Sequence, residues 1–328
     1  MHNRGAYAGY AGTIFAFRLL RRFRLLFDRT MANWRTLYPF PSKFVEMTTP
    51  SSKGVRMHYV ESGAVHQPTV LCVHGNPTWS FTYRSVLQEL QPEARVLAVD
   101  HVGCGLSDKP QNYPYSLAQH IENLVNLIER LDLRHIHLLV HDWGGAIGLG
   151  AGLRVRDRID GLVILNTAAF PPPYVPWRIA ACRIPILGNW AMRYLNVFAR
   201  AALHMTLHRL PRLETTVAEG LIAPYSSWQN RVAIARFVQD IPRRSGDATW
   251  KLLSDIERQM HHFNDRPVHL VWGMQDWCFR PECLHRFQAL LPNAKSVPLE
   301  DVGHYVMEEA PAEVIAELRQ VLAKTRNV

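Results

Sequence analysis

Three residues of this 328-residue chain have the types and the order to do nucleophilic chemistry: Asp142, Asp276 and His304. A carboxylate can displace a leaving group from carbon in line and remain bound as an ester. A serine would need deprotonation first, and its ether product could not be hydrolysed. A histidine oriented by a second carboxylate can then activate water against that ester, so the order nucleophile, acid, base describes a complete cycle. Singly, each residue has a plainer reading. Asp142 could cap the helix that follows it, Asp276 could be a loop carboxylate, and His304 an ordinary core or surface histidine. The case for chemistry is that all three fall where a predicted strand ends.

The elements that must position them follow from hydrophobic periodicity. The apolar run over 136–140 stops at His141-Asp142, and a Gly- and Ala-rich helical stretch begins at once, so the chain turns sharply at Asp142. Such a corner lifts a side chain above the sheet and makes the next backbone N–H an oxyanion donor. The pattern predicts further strands over 55–60, 69–73, 96–99, 161–165, 268–272 and 294–299, and helices over 117–131 and 311–324. Strands alternating with helices imply a mostly parallel sheet with right-handed crossovers. Its ligands bind where strands end. The strand at 69–73 runs into His74-Gly75-Asn76-Pro77-Thr78-Trp79, an active-site loop on that rule. Gly103-Cys104-Gly105 lacks the third glycine and the helix of a phosphate loop.

From 168 to 244 the strand rhythm breaks. Prolines (among them Pro171, Pro172, Pro173, Pro176 and Pro185), many aromatics and helical runs such as 186–210 read as an inserted helical cap. The expected organisation is a basic extension over 1–44, a core over 45–168 and 245–328, and a cap over 169–244.

Composition narrows the class. With 48% hydrophobic and 20% charged residues the chain can bury a large core. Its five cysteines form no CxxC pair, which suits a reducing compartment, with the cytoplasm as default. The net charge of +9 is concentrated: residues 1–44 hold eight Lys/Arg against Asp28 alone, so it is a tail property rather than a nucleic-acid footprint. Segment 13–27 is too short and charged to span a bilayer, and no cleavage site follows it. Over 13–29, Arg18, Arg21, Arg22 and Arg29 face away from Leu19, Leu20, Phe23, Leu26 and Phe27. This predicts peripheral membrane contact or packing against the protein's own body or a neighbouring subunit. Residues 34–41 read as an extended linker.

Over roughly 45–325 the chain resembles the haloalkane dehalogenases of the α/β-hydrolase superfamily. The resemblance is most specific at His74-Gly75-Asn76-Pro77-Thr78, His141-Asp142-Trp143-Gly144-Gly145, Trp272-Gly273-Met274-Gln275-Asp276 and Asp301-Val302-Gly303-His304. Val140 before His141 departs from the commonest elbow motif and is usual in this family. The resemblance implies an α/β-hydrolase fold with a cap. It also implies Asp142 as nucleophile, His304 as base, Asp276 as its partner, and Asn76 with Trp143 as halide-binding and oxyanion donors. One subgroup carries its acid as Glu after the earlier strand, where this chain has Asn166. Asp276 combined with Asn76 looks like the third subgroup, whose members tend to assemble. The implied reaction is hydrolysis of a haloalkane to alcohol and halide, with a small apolar substrate, a halide ion, and no metal or redox cofactor.

Alternatives remain open at this point. An epoxide hydrolase shares the three catalytic residues and needs cap tyrosines, for which Tyr174, Tyr194 and Tyr225 are candidates. The third subgroup also resembles cis-β-lactone decarboxylases of long-chain olefin biosynthesis. A non-enzymatic scaffold is disfavoured by three filled catalytic positions.

Overall fold

Strands that read as unbroken apolar runs are those the fold buries on both faces. The computed structural model describes residues 34–326. It contains an eight-stranded sheet: β1 (Lys43–Glu46), β2 (Arg56–Ser62), β3 (Thr69–Val73), β4 (Arg95–Val99), β5 (Ile136–Asp142), β6 (Ile159–Thr167), β7 (Val268–Gly273) and β8 (Lys295–Leu299). The order is β1-β2-β4-β3-β5-β6-β7-β8, antiparallel at the first two junctions and parallel at the others. Alternation along the strands sends Leu71, Val73, Leu138, Val140 and Ile164 to one face, against Ile121, Leu124 and Ile147 of helices Leu117–Arg130 and Trp143–Arg154. Val70, Cys72, Leu139, Val163 and Val271 go to the other, against Val314 and Leu318 of helix Pro311–Arg326. With helices on both faces no polar side is needed, which is why these strands show no alternation in sequence.

β3 lies between β4 and β5, so the chain extends the sheet first in one direction and then in the other. The crevice between the carboxyl ends of β3 and β5 is therefore a topological switch point, where open α/β sheets bind ligands.

Between β6 and β7 run helices Trp177–Ala181, Leu187–Tyr194, Val197–Met205, Thr215–Ile222, Val232–Asp240 and Ala248–Gln259. The helical run expected over 186–210 is broken in two: Asn196 adopts a left-handed φ of 55°, which its short polar side chain tolerates better than most. The stretch 34–41 is not an extended linker either. Trp34–Leu37 is a 3-10 turn, and Trp34 packs edge-on against Trp79 and Phe81 at 5.6 and 5.9 Å. Tyr38 follows it, sharing a 2.6 Å hydrogen bond with Ser80. These aromatics bury large areas only because residues 79–83 lie beneath them. No helix among the described residues is long and apolar enough to cross a membrane; segment 13–29 lies outside the described residues.

Candidate active site

β5 delivers Asp142 to the switch point in a conformation that few L residues adopt, with φ 52° and ψ −130°. Such a residue costs on the order of 1–3 kcal/mol and persists only where its surroundings over-determine it. Here they do. A Cβ on Gly144 would strike the Val73 carbonyl, so only glycine lets the new helix run this close to β3. A Cβ on Gly75 would fall on the Asp142 carboxylate. Asp142 makes no side-chain capping bond, so the capping explanation does not hold. Its Oδ1 instead accepts the Asn76 backbone N–H at 2.6 Å, with the Trp143 backbone N–H also bonded to the carboxylate.

The loops after β7 and β8 bring the other two residues to the same point. His304 Nδ1 lies 2.7 Å from Asp276 Oδ2, and its Nε2 lies 3.7 Å from Asp142 Oδ2. Asp276 is itself held: Oδ1 accepts the Cys278 N–H at 2.6 Å and Oδ2 accepts Asn166 Nδ2 at 3.0 Å. The His304 backbone N–H donates to the Thr206 carbonyl at 2.7 Å, and the His141 ring nitrogen Nε2 bonds the His304 carbonyl at 2.8 Å. The preceding Gly303 N–H donates to buried Glu309 at 2.6 Å.

Three of these supports escaped the sequence reading. Asn166 was noted only as the slot where another subgroup keeps its acid, yet its side chain bridges β6 to β7. It accepts the Gly273 N–H at 2.7 Å and donates to the Gly273 carbonyl at 2.9 Å while also bonding Asp276. An amide at the end of an apolar strand was the available signal, because a buried amide must find partners. His141 was legible as motif but not as a support. Glu309 carried no signal at all.

Electrostatics separate the two carboxylates. Burial pushes Asp142 up; His304 and the N–H groups of Asn76 and Trp143 pull back, and the net shift stays upward. Burial also pushes Asp276 up, but the charge and hydrogen bond of His304 and the backbone N–H donors more than reverse it, so it stays ionised. Burial pulls His304 down, and Asp276 and Asp142 together lift it above its ordinary value. Neighbouring His141 is pushed down to about 3, chiefly by burial and then by His304, and so stays neutral.

Asn76, Asp142, Trp143 and His304 form the floor of a cavity of about 370 Å³, whose walls are nearly all apolar, among them Phe170, Ile179, Phe198 and Ile241. The Asn76 Nδ2 donates one hydrogen to the Ile234 carbonyl at 3.2 Å, which leaves its second N–H uncommitted. Of the three candidate tyrosines, Tyr174 alone lines the cavity, and its hydroxyl donates to the Cys278 carbonyl and accepts the Arg280 N–H, both at 3.0 Å. Tyr225 donates to the Thr78 carbonyl at 3.2 Å, and Tyr194 packs at a tilt on Trp228, with ring centroids 4.1 Å apart.

Comparison with known proteins identifies the family. The pattern of the α/β-hydrolase fold family matches residues 68–311. A cis-3-alkyl-4-alkyloxetan-2-one decarboxylase of Shewanella oneidensis is 38% identical over 299 residues, spanning 89% of this chain and 92% of that enzyme. Haloalkane dehalogenase 2 of Mycobacterium tuberculosis is 30% identical over 288 residues, 86% of this chain and 95% of that enzyme. The tetrameric structure of a haloalkane dehalogenase from Paraglaciecola agarilytica superposes with a TM-score of 0.71 at 26% identity, covering 87% of this chain and 93% of that one. The chain belongs to the α/β-hydrolase fold family, among relatives named as haloalkane dehalogenases and oxetan-2-one decarboxylases.

Proposed function

We propose that this protein displaces an anionic leaving group from a saturated carbon of an apolar substrate, with Asp142 as the nucleophile, and that hydrolytic dehalogenation is the reaction its site fits. One observation carries the reading: the Asp142 carboxylate is held by the backbone N–H groups of Asn76, on Oδ1, and Trp143, while Oδ2 faces His304 on the floor of an apolar cavity. Attack on a haloalkane breaks the carbon–halogen bond and leaves an alkyl ester. The departing halide meets the free N–H of Asn76 and the indole of Trp143, and in apolar surroundings such donors act far more strongly than in water. His304 then takes a proton from water as it adds to the ester carbonyl, and the Asn76 and Trp143 N–H groups hold the resulting oxyanion. Asp276 orients the imidazole. The segment 169–244 acts as the cap that roofs the cavity and excludes water.

A second reading is favoured by the higher identity of the oxetanone decarboxylase. An oxetan-2-one is a β-lactone, and its ring oxygen leaves as a carboxylate, an anion that could occupy the halide position. Attack of Asp142 on the ring carbon bearing that oxygen would open the ring. The electrons of the bond to CO₂ would then form the alkene as the Asp142 carboxylate departs, and no water is consumed. An epoxide hydrolase is less well supported, because no pair of tyrosine hydroxyls is free at the floor. The tetrameric neighbour supports self-association without locating its interface in residues 13–29.

His304→Ala separates the two leading readings. With 1-bromohexane, the variant is expected to accumulate an adduct of the alkyl mass on Asp142 in intact-protein mass spectrometry, and Asp142→Ala to form none. With a long-chain cis-β-lactone, His304→Ala is expected to keep releasing alkene and CO₂. Turnover by Asp142→Ala, or an adduct on another residue, overturns the nucleophile assignment.

A further inference from the structure

The helices roofing the cavity have an outer surface that the reaction does not explain. Trp177, Ile184, Ile186, Leu187, Trp190 and Leu195 all stand in solvent, Trp177 at 76% and Ile186 at 88% exposure, whereas among the described residues outside 177–205 the comparable exposed side chains are Phe44 and Val65. Ile186 is held there at a φ of 61°, a costly conformation for a β-branched residue. Large apolar side chains concentrated at the surface of one short segment point to an interaction site.

Charge says with what. Residues 161–213 contain no Asp or Glu but six arginines. Arg209 is paired with Asp301 and Glu313, while Arg178, Arg183, Arg193 and Arg200 make no ion pair among the described residues. A second copy docking here around a twofold axis would set arginine against arginine with no acid to answer it. The chain's own residues 1–44, with eight basic residues to one acidic, would be repelled in the same way. An anionic bilayer is not: its surface attracts arginine, and its interface accepts tryptophan and leucine. The cavity also opens on this face, since Trp177, Arg178, Val197 and Met205 both line it and reach solvent.

We propose that the face formed by residues 177–205 docks on an anionic lipid surface, so that an apolar substrate passes from the bilayer into the cavity without crossing water. This depends on neither reading of the reaction. The test is co-sedimentation of the full-length protein with vesicles of phosphatidylglycerol and phosphatidylcholine, compared with pure phosphatidylcholine. The wild type is expected to favour the anionic vesicles. Leu187→Ser/Trp190→Ser should weaken that binding about tenfold or more, and Arg183→Gln/Arg200→Gln by about fivefold per charge. Turnover of a short water-soluble substrate should be unchanged in both, which also reports that they fold. Wild-type protein that ignores vesicles overturns the proposal. So does undiminished binding in both variants, which would place the contact in residues 1–44. A fall in light-scattering mass for Leu187→Ser/Trp190→Ser with vesicle binding intact would make this face a contact between copies instead, and would equally overturn it.

Discussion

At the edge of the sheet, Asp276 and His304 are tied at both ends by directional bonds, Asp276 by Cys278 and Asn166 and His304 by Asp276, Thr206 and His141. The helices above them offer the cavity Ile179, Phe198 and Ile241, side chains that only fill space. The two regions border one cavity but are built to different tolerances. Hydrogen bonds set positions to a few tenths of an ångström, whereas apolar packing constrains volume and leaves identity loose. On the reaction proposed above, the floor would decide which bond is broken, and the roof which molecule is held while it breaks.

The sharpest way to break that comparison is to loosen the floor. On the proposed mechanism neutral His304 accepts a proton from water, and its pKa is lifted above the ordinary 6.5 by Asp276 and Asp142 against the opposing effect of burial. Hydrolytic turnover should therefore fall as pH drops through a value above 6.5. Asp276→Asn removes the strongest lifting charge, so the fall should move to lower pH while the maximum rate drops by about 10⁴-fold, as loss of the orienting carboxylate does in related triads. A pH–rate profile checks both, and a limb that stays in place would remove His304 from the role of base.

The next largest effect tests whether the floor's donors act on the leaving group. Asn76→Ala and Trp143→Phe should each lower turnover of a bromoalkane by about 10²-fold, the usual cost of one preorganised donor. Ester hydrolysis by the same variants should fall less. Equal losses on both substrates would make these side chains structural. The smallest effect belongs to the roof. Phe198→Ala enlarges the cavity away from the reacting atoms, so it should shift preference between short and long substrates by roughly tenfold, the worth of a few methylene contacts. A uniform loss across chain lengths would show that the roof also sets geometry, and the contrast between the two regions would be lost.

The same contrast governs what could be read from the sequence. The floor was legible because the candidate residues sit at or just beyond strand ends: Asp142 closes the apolar run of β5, and Asn76, Asp276 and His304 lie in the loops after β3, β7 and β8. Parallel strands buried on both faces announce themselves, and the corner at Asp142 needs Gly144 in a way that local sequence records. Trp34 and Tyr38 were misread as linker because their burial depends on residues some 45 positions away, which no local pattern encodes. Asn166 and Glu309 act through hydrogen bonds across strands and loops, so only the assembled sheet reveals them. In the roof, apolar periodicity identified helices but could not say that Asn196 would divide them, nor which apolar side chains face the cavity and which face solvent.

Asn166 has a consequence for how such sites can change over generations. Its amide occupies the place at the end of β6 where another subgroup keeps its carboxylate, and it donates to the carboxylate at the end of β7. Asn166→Glu alone would crowd a second negative charge against Asp276, and Asp276→Asn alone would leave His304 without an anionic partner. We expect each single exchange to disable the protein and the double exchange to restore it, which makes positions 166 and 276 an epistatic pair. A lineage moving its acid from one strand to the other must cross a nearly inactive intermediate, so the position of the acid should be inherited far more stubbornly than anything in the roof.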